Sequence, residues 1–168
     1  MTATGTAGTE HTHGHHGGRI VVGVDGSASS KDALKWAARQ AQLTGASLEA
    51  VTTWEISTNS FGFAVPIPSD YDPAANAKQT LDETVLEVLG SGGPNVVTQV
   101  VEGQAARCLL DAAKGADLLV LGSRGHGPFV GVLLGSVSEF CAAHATCPVV
   151  VVRHQGDDPA ELRPRPPD

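Results

Sequence analysis

The chain has 168 residues, of which 41% are hydrophobic and 17% charged. This length suits one domain with an ordinary core, and the composition is that of neither a disordered chain nor a membrane protein. The formal net charge is −7 and no cluster of Lys or Arg occurs, which argues against nucleic acid as the principal partner because neutralising phosphates takes clustered cations.

The first and last stretches of the chain are predicted to be tails. Residues 1–18 are rich in Gly, Thr and His, and residues 155–168 are rich in Pro and charge, so the folded domain is expected to span residues 19–154. Four histidines of the first tail are potential metal ligands: His11, His13, His15 and His16. A solvated tail is the favoured interpretation, because a floppy site lacks the outer contacts that fix metal ligands.

Several absences favour a cytoplasmic protein with no membrane partner. The first 18 residues have neither the basic nor the apolar region of a secretory signal, and no apolar run reaches the length of a bilayer span. Three cysteines, Cys108, Cys141 and Cys147, form no CxxC pair. We therefore interpret them as reduced thiols that pack as small apolar residues.

Strand and helix patterns alternate between the tails. Continuous apolar or β-branched runs predict five strands, at Arg19–Asp25, Ser47–Trp54, Asn95–Val101, Asp117–Gly122 and Cys147–Arg153. Helical spacing of apolar residues predicts the first three helices, through Leu34, Ala37, Ala38 and Ala41, through Leu81, Val85, Val88 and Leu89, and through Ala106, Leu109, Leu110 and Ala113. A fourth helix is predicted over Ser136–His144. This alternation predicts a single-domain α/β fold, a doubly wound five-stranded parallel sheet with helices on both faces.

Two details of these helices are also predicted. Ser29 and Asp32 are spaced for a capping box at the start of the first helix. His144 lies on the apolar stripe of the fourth helix, where a packed histidine is favoured over a general acid or base. The loop from Phe61 to Asp72 is rich in Pro and Gly, and its aromatic residues suit either a lid or a dimer surface.

A glycine-rich stretch, LVLGSRGHGPFVGVLLGSVSEF, joins the fourth strand to the fourth helix. Glycines there let backbone N–H groups converge into a concavity that binds anions. Ser136 either caps the following helix or faces a phosphate together with the helix N-terminus. Arg124 and His126 are potential charge partners. Phosphate binding is favoured over a surface loop whose glycines only make turns.

Gly122-x2-Gly125-x9-Gly135-Ser136 resembles the nucleotide-binding signature of the universal stress protein family, in its ATP-binding branch. IVVGVDGSASSKDALKWAARQA is similar to the opening strand and helix of that family. SLEAVTTWE is similar to its second strand, and HATCPVVVVR to its closing passage. The resemblance implies a Rossmann-like fold of the adenine nucleotide alpha-hydrolase type, ATP as the ligand, and a homodimer formed through the Pro148–Arg153 strand.

The resemblance also implies roles for individual residues. Asp25 would lie beside the ribose or the metal, Gly23 would give clearance, and Thr53 would offer its backbone to the adenine. The segment that would wrap the ribose and phosphates comprises Gly122, Ser123, Arg124, Gly125, His126 and Gly127. The residues that would hold the phosphate tail are Gly135, Ser136, Val137 and Ser138. A divalent cation, magnesium, is expected on the phosphates, because Arg124 alone does not balance their charge.

Simpler roles stay open for four of these residues. Asp25 could cap the first helix or close a turn, Ser138 could only support its helix, and Arg124 and His126 could be solvated.

No residue is predicted to be catalytic. The sequence lacks GxxxxGK[ST], GxGxxG after the first strand, and GxSxG. His126 is the one candidate base, and it has no evident orienting partner, so slow or negligible hydrolysis is expected. The competing hypotheses are a weak ATPase, a cyclic AMP receptor and a dimeric interaction module that needs no nucleotide.

Overall fold

The structure is a computed structural model that describes residues 17–56, 72–91, 93–125 and 134–154. Nearly all of both predicted tails, and the loop from Phe61 to Tyr71, lie outside these residues. Gly18, which the tail was predicted to include, already belongs to the fold, because its carbonyl accepts a hydrogen bond of 2.7 Å from the Ser47 N–H.

In the described residues, five strands form one parallel sheet: β1 (Arg19–Gly23), β2 (Ser47–Trp54), β3 (Val96–Glu102), β4 (Leu118–Gly122) and β5 (Val149–Val152). The helices described between these strands are α1 (Ala28–Thr44), α2 (Pro73–Leu89), α3 (Ala105–Ala112) and α4 (Ser136–His144). The strand order is β3-β2-β1-β4-β5, and every neighbouring pair is parallel. The predicted fold class is therefore confirmed, and the strand order reverses between β1 and β4.

The two faces of the sheet bury separate apolar clusters. On one face α1 and α2 cover residues such as Val22 and Val120, with Leu34 and Leu81 fully buried between the layers. On the other face α3 and α4 cover residues such as Val21 and Val51. Burial on both faces explains why β1 and β4 are almost continuously apolar instead of alternating.

The starts of the helices differ in how their free N–H groups are satisfied. Ser27 caps α1, its side chain accepting from the Ser30 N–H at 3.3 Å, and Asp72 caps α2 through the Ala75 N–H at 3.0 Å. The predicted capping box of Ser29 and Asp32 is wrong, because Ser29 is already inside the helix. Side-chain caps are absent from the starts of α3 and α4.

His144 is also not the packed residue that was predicted. It is exposed at the last position of α4, where its ring stacks on Phe140 with 4.2 Å between ring centroids. Its Nδ1 lies 2.8 Å from the Phe140 carbonyl oxygen. The ring therefore packs on its own helix and leaves the core to Ser138 and Cys141.

All three cysteines are free, and Cys141 is fully buried while the other two are half-buried. Burial raises the pKa of the Cys141 thiol to about 11. Its Sγ lies 3.7 Å from the Ala106 carbonyl oxygen of α3, so it behaves as the small apolar residue that was predicted. Within the ranges that the structure describes, no helix is long and apolar enough to cross a membrane.

Candidate functional site

A cleft of about 330 Å³ opens at the carboxyl ends of the strands, where the order reverses between β1 and β4. This is the place where doubly wound sheets bind ligands, and the volume lies within the roughly 300–1,000 Å³ of small-molecule sites. The residues lining it are Gly23, Val24, Asp25, Ser30, Val51, Thr52, Thr53, Ala105, Leu109, Leu121, Gly122, Arg124, Gly125, Gly135, Ser136, Val137 and Ser138.

Ten of the thirteen predicted site residues line this one cleft, although they come from three strand ends and one helix start. Ser123 does not line it: the residue is 1% exposed, its N–H donates to the Val152 carbonyl at 2.8 Å, and its carbonyl accepts from the Gly135 N–H at 2.7 Å. His126 and Gly127 lie outside the described residues.

Gly122 is required by contacts within the protein. A Cβ on this residue would stand 2.7 Å from the Ser29 carbonyl carbon and 2.9 Å from the Ser30 nitrogen. These are backbone atoms at the start of α1, which cannot move aside as a flexible side chain can. The glycine therefore lets β4 pass against α1, and a ligand is not needed to explain it.

Asp25 closes the turn between β1 and α1. Its Oδ1 accepts from the Ser27 N–H at 3.0 Å and from the Ser27 hydroxyl at 2.5 Å. Its Oδ2 faces the glycine segment, 2.6 Å from where a Cβ on Gly125 would stand. The simpler role predicted for Asp25 therefore accounts for one carboxylate oxygen, while the other is held against Gly125 at the cleft.

The start of α4 presents its N–H groups to the cleft. The first residues of an α-helix have no partner within the helix, and here the preceding residue, Gly135, has no side chain to cap them. Ser136, Val137 and Ser138 all line the cleft, and Ser136 is exposed. Ser136 is the first residue of the helix and Gly135 is its N-cap, so of the two roles left open for Ser136 capping does not occur.

Two of the predicted phosphate ligands, Ser138 and Val137, have no side chain to offer a phosphate, because the first is hydrogen-bonded within the protein and the second is apolar. The Ser138 hydroxyl donates to the Gly122 carbonyl at 2.6 Å and is 5% exposed, which matches the supporting role left open for it. Val137 offers only backbone. An anion at this end would therefore meet backbone N–H groups and the positive end of the helix dipole.

One wall of the cleft is apolar, and sequence reasoning did not assign it. Val51 and Thr52 come from the end of β2, Leu121 from β4, and Ala105 and Leu109 from α3. Gly23 belongs to this wall, but a Cβ there would meet Leu121 Cδ2 at 2.8 Å. The space left by the missing Gly23 side chain is therefore occupied by neighbouring side chains of the protein. The wall as a whole can hold the flat, apolar part of a ligand.

Among the residues that the structure describes, few charges line the cleft. Asp25 and Arg124 are the ionisable residues among those lining it. The part of the chain that the structure describes holds no group of three or more His, Cys, Asp or Glu side chains that could bind a metal ion by themselves.

Comparison with known proteins relates this fold and cleft to one protein family. The model of the universal stress protein family matches residues 17–153. A universal stress protein of Mycolicibacterium smegmatis is 37% identical over 149 residues, with 84% of this chain and 49% of that protein covered. Universal stress protein Rv1996 of Mycobacterium tuberculosis is 36% identical over 165 residues, with 88% and 50% covered. The chain thus spans about half the length of the curated relatives it matches.

Solved structures agree with this assignment. A universal stress protein from Lactobacillus plantarum superposes with a TM-score of 0.66 at 29% identity, covering 81% of this chain and 97% of that one. A universal stress protein solved in complex with cAMP superposes with a TM-score of 0.60 at 28% identity, covering 80% and 96%. On the match of the family model and of these relatives, the chain belongs to the universal stress protein family.

Proposed function

We propose that this domain binds ATP together with a divalent cation, and that it acts as a nucleotide-dependent stress-response module with little or no hydrolysis. The observation that carries the proposal is the lining of the cleft, which combines an apolar wall from β2, β4 and α3 with the uncapped start of α4. An adenine base suits the first and a chain of phosphates suits the second.

Asp25 fits the proposed cation. Magnesium is commonly held by one or two carboxylates together with substrate phosphates, and it retains several waters. Asp25 is a single carboxylate, tied down through Oδ1 and facing the glycine segment through Oδ2. Such a cation would offset the charge of the phosphates, which Arg124 alone cannot neutralise.

Cyclic AMP is the second candidate ligand, because a solved relative at 28% identity holds it. The two ligands place different demands on the cleft. The single cyclic phosphate carries less charge and has less need of a cation than the triphosphate. Dependence of affinity on magnesium therefore separates the two.

Hydrolysis is not part of the leading proposal. Asp25 would have to position a water molecule, but one of its oxygens is engaged by Ser27 in closing a turn. His126 lies outside the described residues and stays a hypothesis. A cleft that only cradles phosphates lacks the positioned water that transfer chemistry needs.

The proposal includes a homodimer formed through Pro148–Arg153 and a cytoplasmic location. In support of the dimer, β5 lies at an edge of the sheet and its four residues are only partly buried. An unpaired apolar edge favours pairing with a second copy. Three free cysteines suit a reducing compartment.

The test is calorimetric titration of the purified protein with ATP, ADP and cAMP, with and without magnesium. Light scattering on the same samples measures the molar mass and so tests the proposed homodimer. We expect ATP to bind, magnesium to tighten it, and no phosphate to be released over hours. Asp25→Asn should remove most of the magnesium effect, whereas Asp82→Asn, an exposed control on α2, should keep it. The absence of binding heat with every one of these nucleotides would contradict the proposal. Tighter binding of cAMP than of ATP, with no need for magnesium, would favour the second candidate.

A further inference from the structure

We propose that Ser29 is a positioning residue, which turns the Arg124–Gly125 peptide so that the Gly125 N–H donates to a phosphate of the bound nucleotide. This inference rests on the nucleotide-binding function proposed above. Ser29 is the second residue of α1 and is 5% exposed. Its hydroxyl donates to the Arg124 carbonyl oxygen. The start of α1 thereby holds the backbone of the glycine segment at the cleft.

The geometry of the peptide bond carries this contact to the next residue. The described residues contain no cis peptide, and in a trans peptide the C=O and N–H bonds point in opposite directions. With the Arg124 carbonyl turned toward Ser29, the Gly125 N–H points away from α1. The Gly125 nitrogen lies 3.9 Å from where a Cβ on Gly135 would stand, which places it beside the start of α4.

The Gly125 N–H is available as a donor. Among the described residues it makes no hydrogen bond, although Gly125 and Gly135 both line the cleft. This donor and those at the start of α4 would face the same anion. Without Ser29 the Arg124 carbonyl oxygen would lose the hydroxyl that directs it toward α1, and a rotated peptide would present this oxygen to the phosphates, where its partial negative charge would repel them.

The neighbouring serines have other contacts. Ser27 caps α1 and binds Asp25, and the Ser30 hydroxyl donates to the Ser27 carbonyl at 2.9 Å. The Ser27 hydroxyl reaches the Arg124 carbonyl only at 3.5 Å. Removing the Ser29 hydroxyl therefore releases the peptide while leaving the cap of α1 and the Asp25 turn in place.

The experiment compares ADP and adenosine binding by the unaltered protein and by Ser29→Ala. Because ADP carries phosphates and adenosine does not, ADP affinity should fall roughly tenfold, the size of one lost hydrogen bond to a charged group, while adenosine affinity stays within about twofold. Thr44→Ala removes another hydroxyl of α1, which donates to the Gln40 carbonyl at the far end of the helix, and should leave both affinities unchanged.

Three results would overturn the inference. ADP affinity could be unchanged in Ser29→Ala, or ADP and adenosine could weaken equally, as a merely structural role would predict. In the unaltered protein, whose folding is not in question, the amide resonance of Gly125 should move when ADP is added and stay in place with adenosine. A Gly125 resonance that ignores ADP would also overturn it. If the protein bound no adenine nucleotide, the proposed function itself would be refuted. If it bound ADP with an affinity that Ser29→Ala did not change, only the present inference would be refuted.

Discussion

A negative charge placed at the start of α4 should have opposite effects on folding and on nucleotide binding. Ser136 is the first residue of this helix, it is exposed, and no side chain caps the helix before it. An aspartate there interacts favourably with the helix dipole, so Ser136→Asp should raise the free energy of unfolding by about 0.3–1 kcal/mol. The variant is therefore expected to be folded and slightly more stable.

The same charge should repel the phosphates. Two unit charges about 4 Å apart interact by roughly 1 kcal/mol in water and by about 4 kcal/mol at the effective dielectric constant of a protein surface. The lower figure alone corresponds to about a fivefold loss of ATP affinity. Ser136→Asn has the shape of the aspartate without its charge, and it should bind ATP within about twofold of the unaltered protein.

Urea unfolding and calorimetric titration of these two variants check both effects. Since the aspartate variant is expected to gain stability, a loss of binding could not be attributed to misfolding. If the aspartate variant bound ATP as tightly as the asparagine variant, the start of α4 would not be where the phosphates lie, and the reasoning from its free N–H groups would be refuted.

Two further predictions concern stability alone. Gly122→Ala should lower the free energy of unfolding in urea by about 1–3 kcal/mol, because its Cβ would overlap the backbone of α1. Gly135→Ser should keep or raise it, because Gly135 has an ordinary φ of −72° and the serine hydroxyl would cap α4. Equal losses in the two variants would contradict this reasoning. The raised pKa of the buried Cys141, about 11 against 9.0, means that the unfolded thiol ionises first, so the free energy of unfolding should fall by up to about 1.4 kcal/mol per unit as pH rises from 9 to 11. Cys141→Ala should show a shallower fall over that range, and an unchanged slope would refute the assignment.

The fold could be predicted because its signals are repeated along the chain. Each strand is largely apolar or β-branched and the first three helices have apolar stripes, so local pattern and overall architecture agree. The start of α1 could not be predicted in the same way. The stretch from Ser27 to Ser30 offers three serines that each favour an N-cap, and the choice of Ser27 depends on Ser29 being drawn to the Arg124 carbonyl, 95 residues away.

The candidate site was predictable only in part. Glycines between a strand and a helix, and an acid at a strand end, are visible in the sequence because they are unusual at those places. The apolar wall is not visible in the sequence, because Val51, Leu109 and Leu121 cannot be distinguished by residue type or spacing from the buried core to which they also belong. Only the order of the strands decides that these three residues meet beside the glycine segment.

The glycines of the signature do not share one cause. Gly122 is explained by the backbone of α1, and Gly125 lies against the Asp25 carboxylate. Gly135 has neither explanation, because its φ is ordinary and a Cβ there would approach nothing closer than 3.4 Å. A serine would be expected at that position to cap α4. Its absence leaves the N–H groups of the helix without a side-chain partner at the mouth of the cleft, which is the condition that a bound phosphate would satisfy.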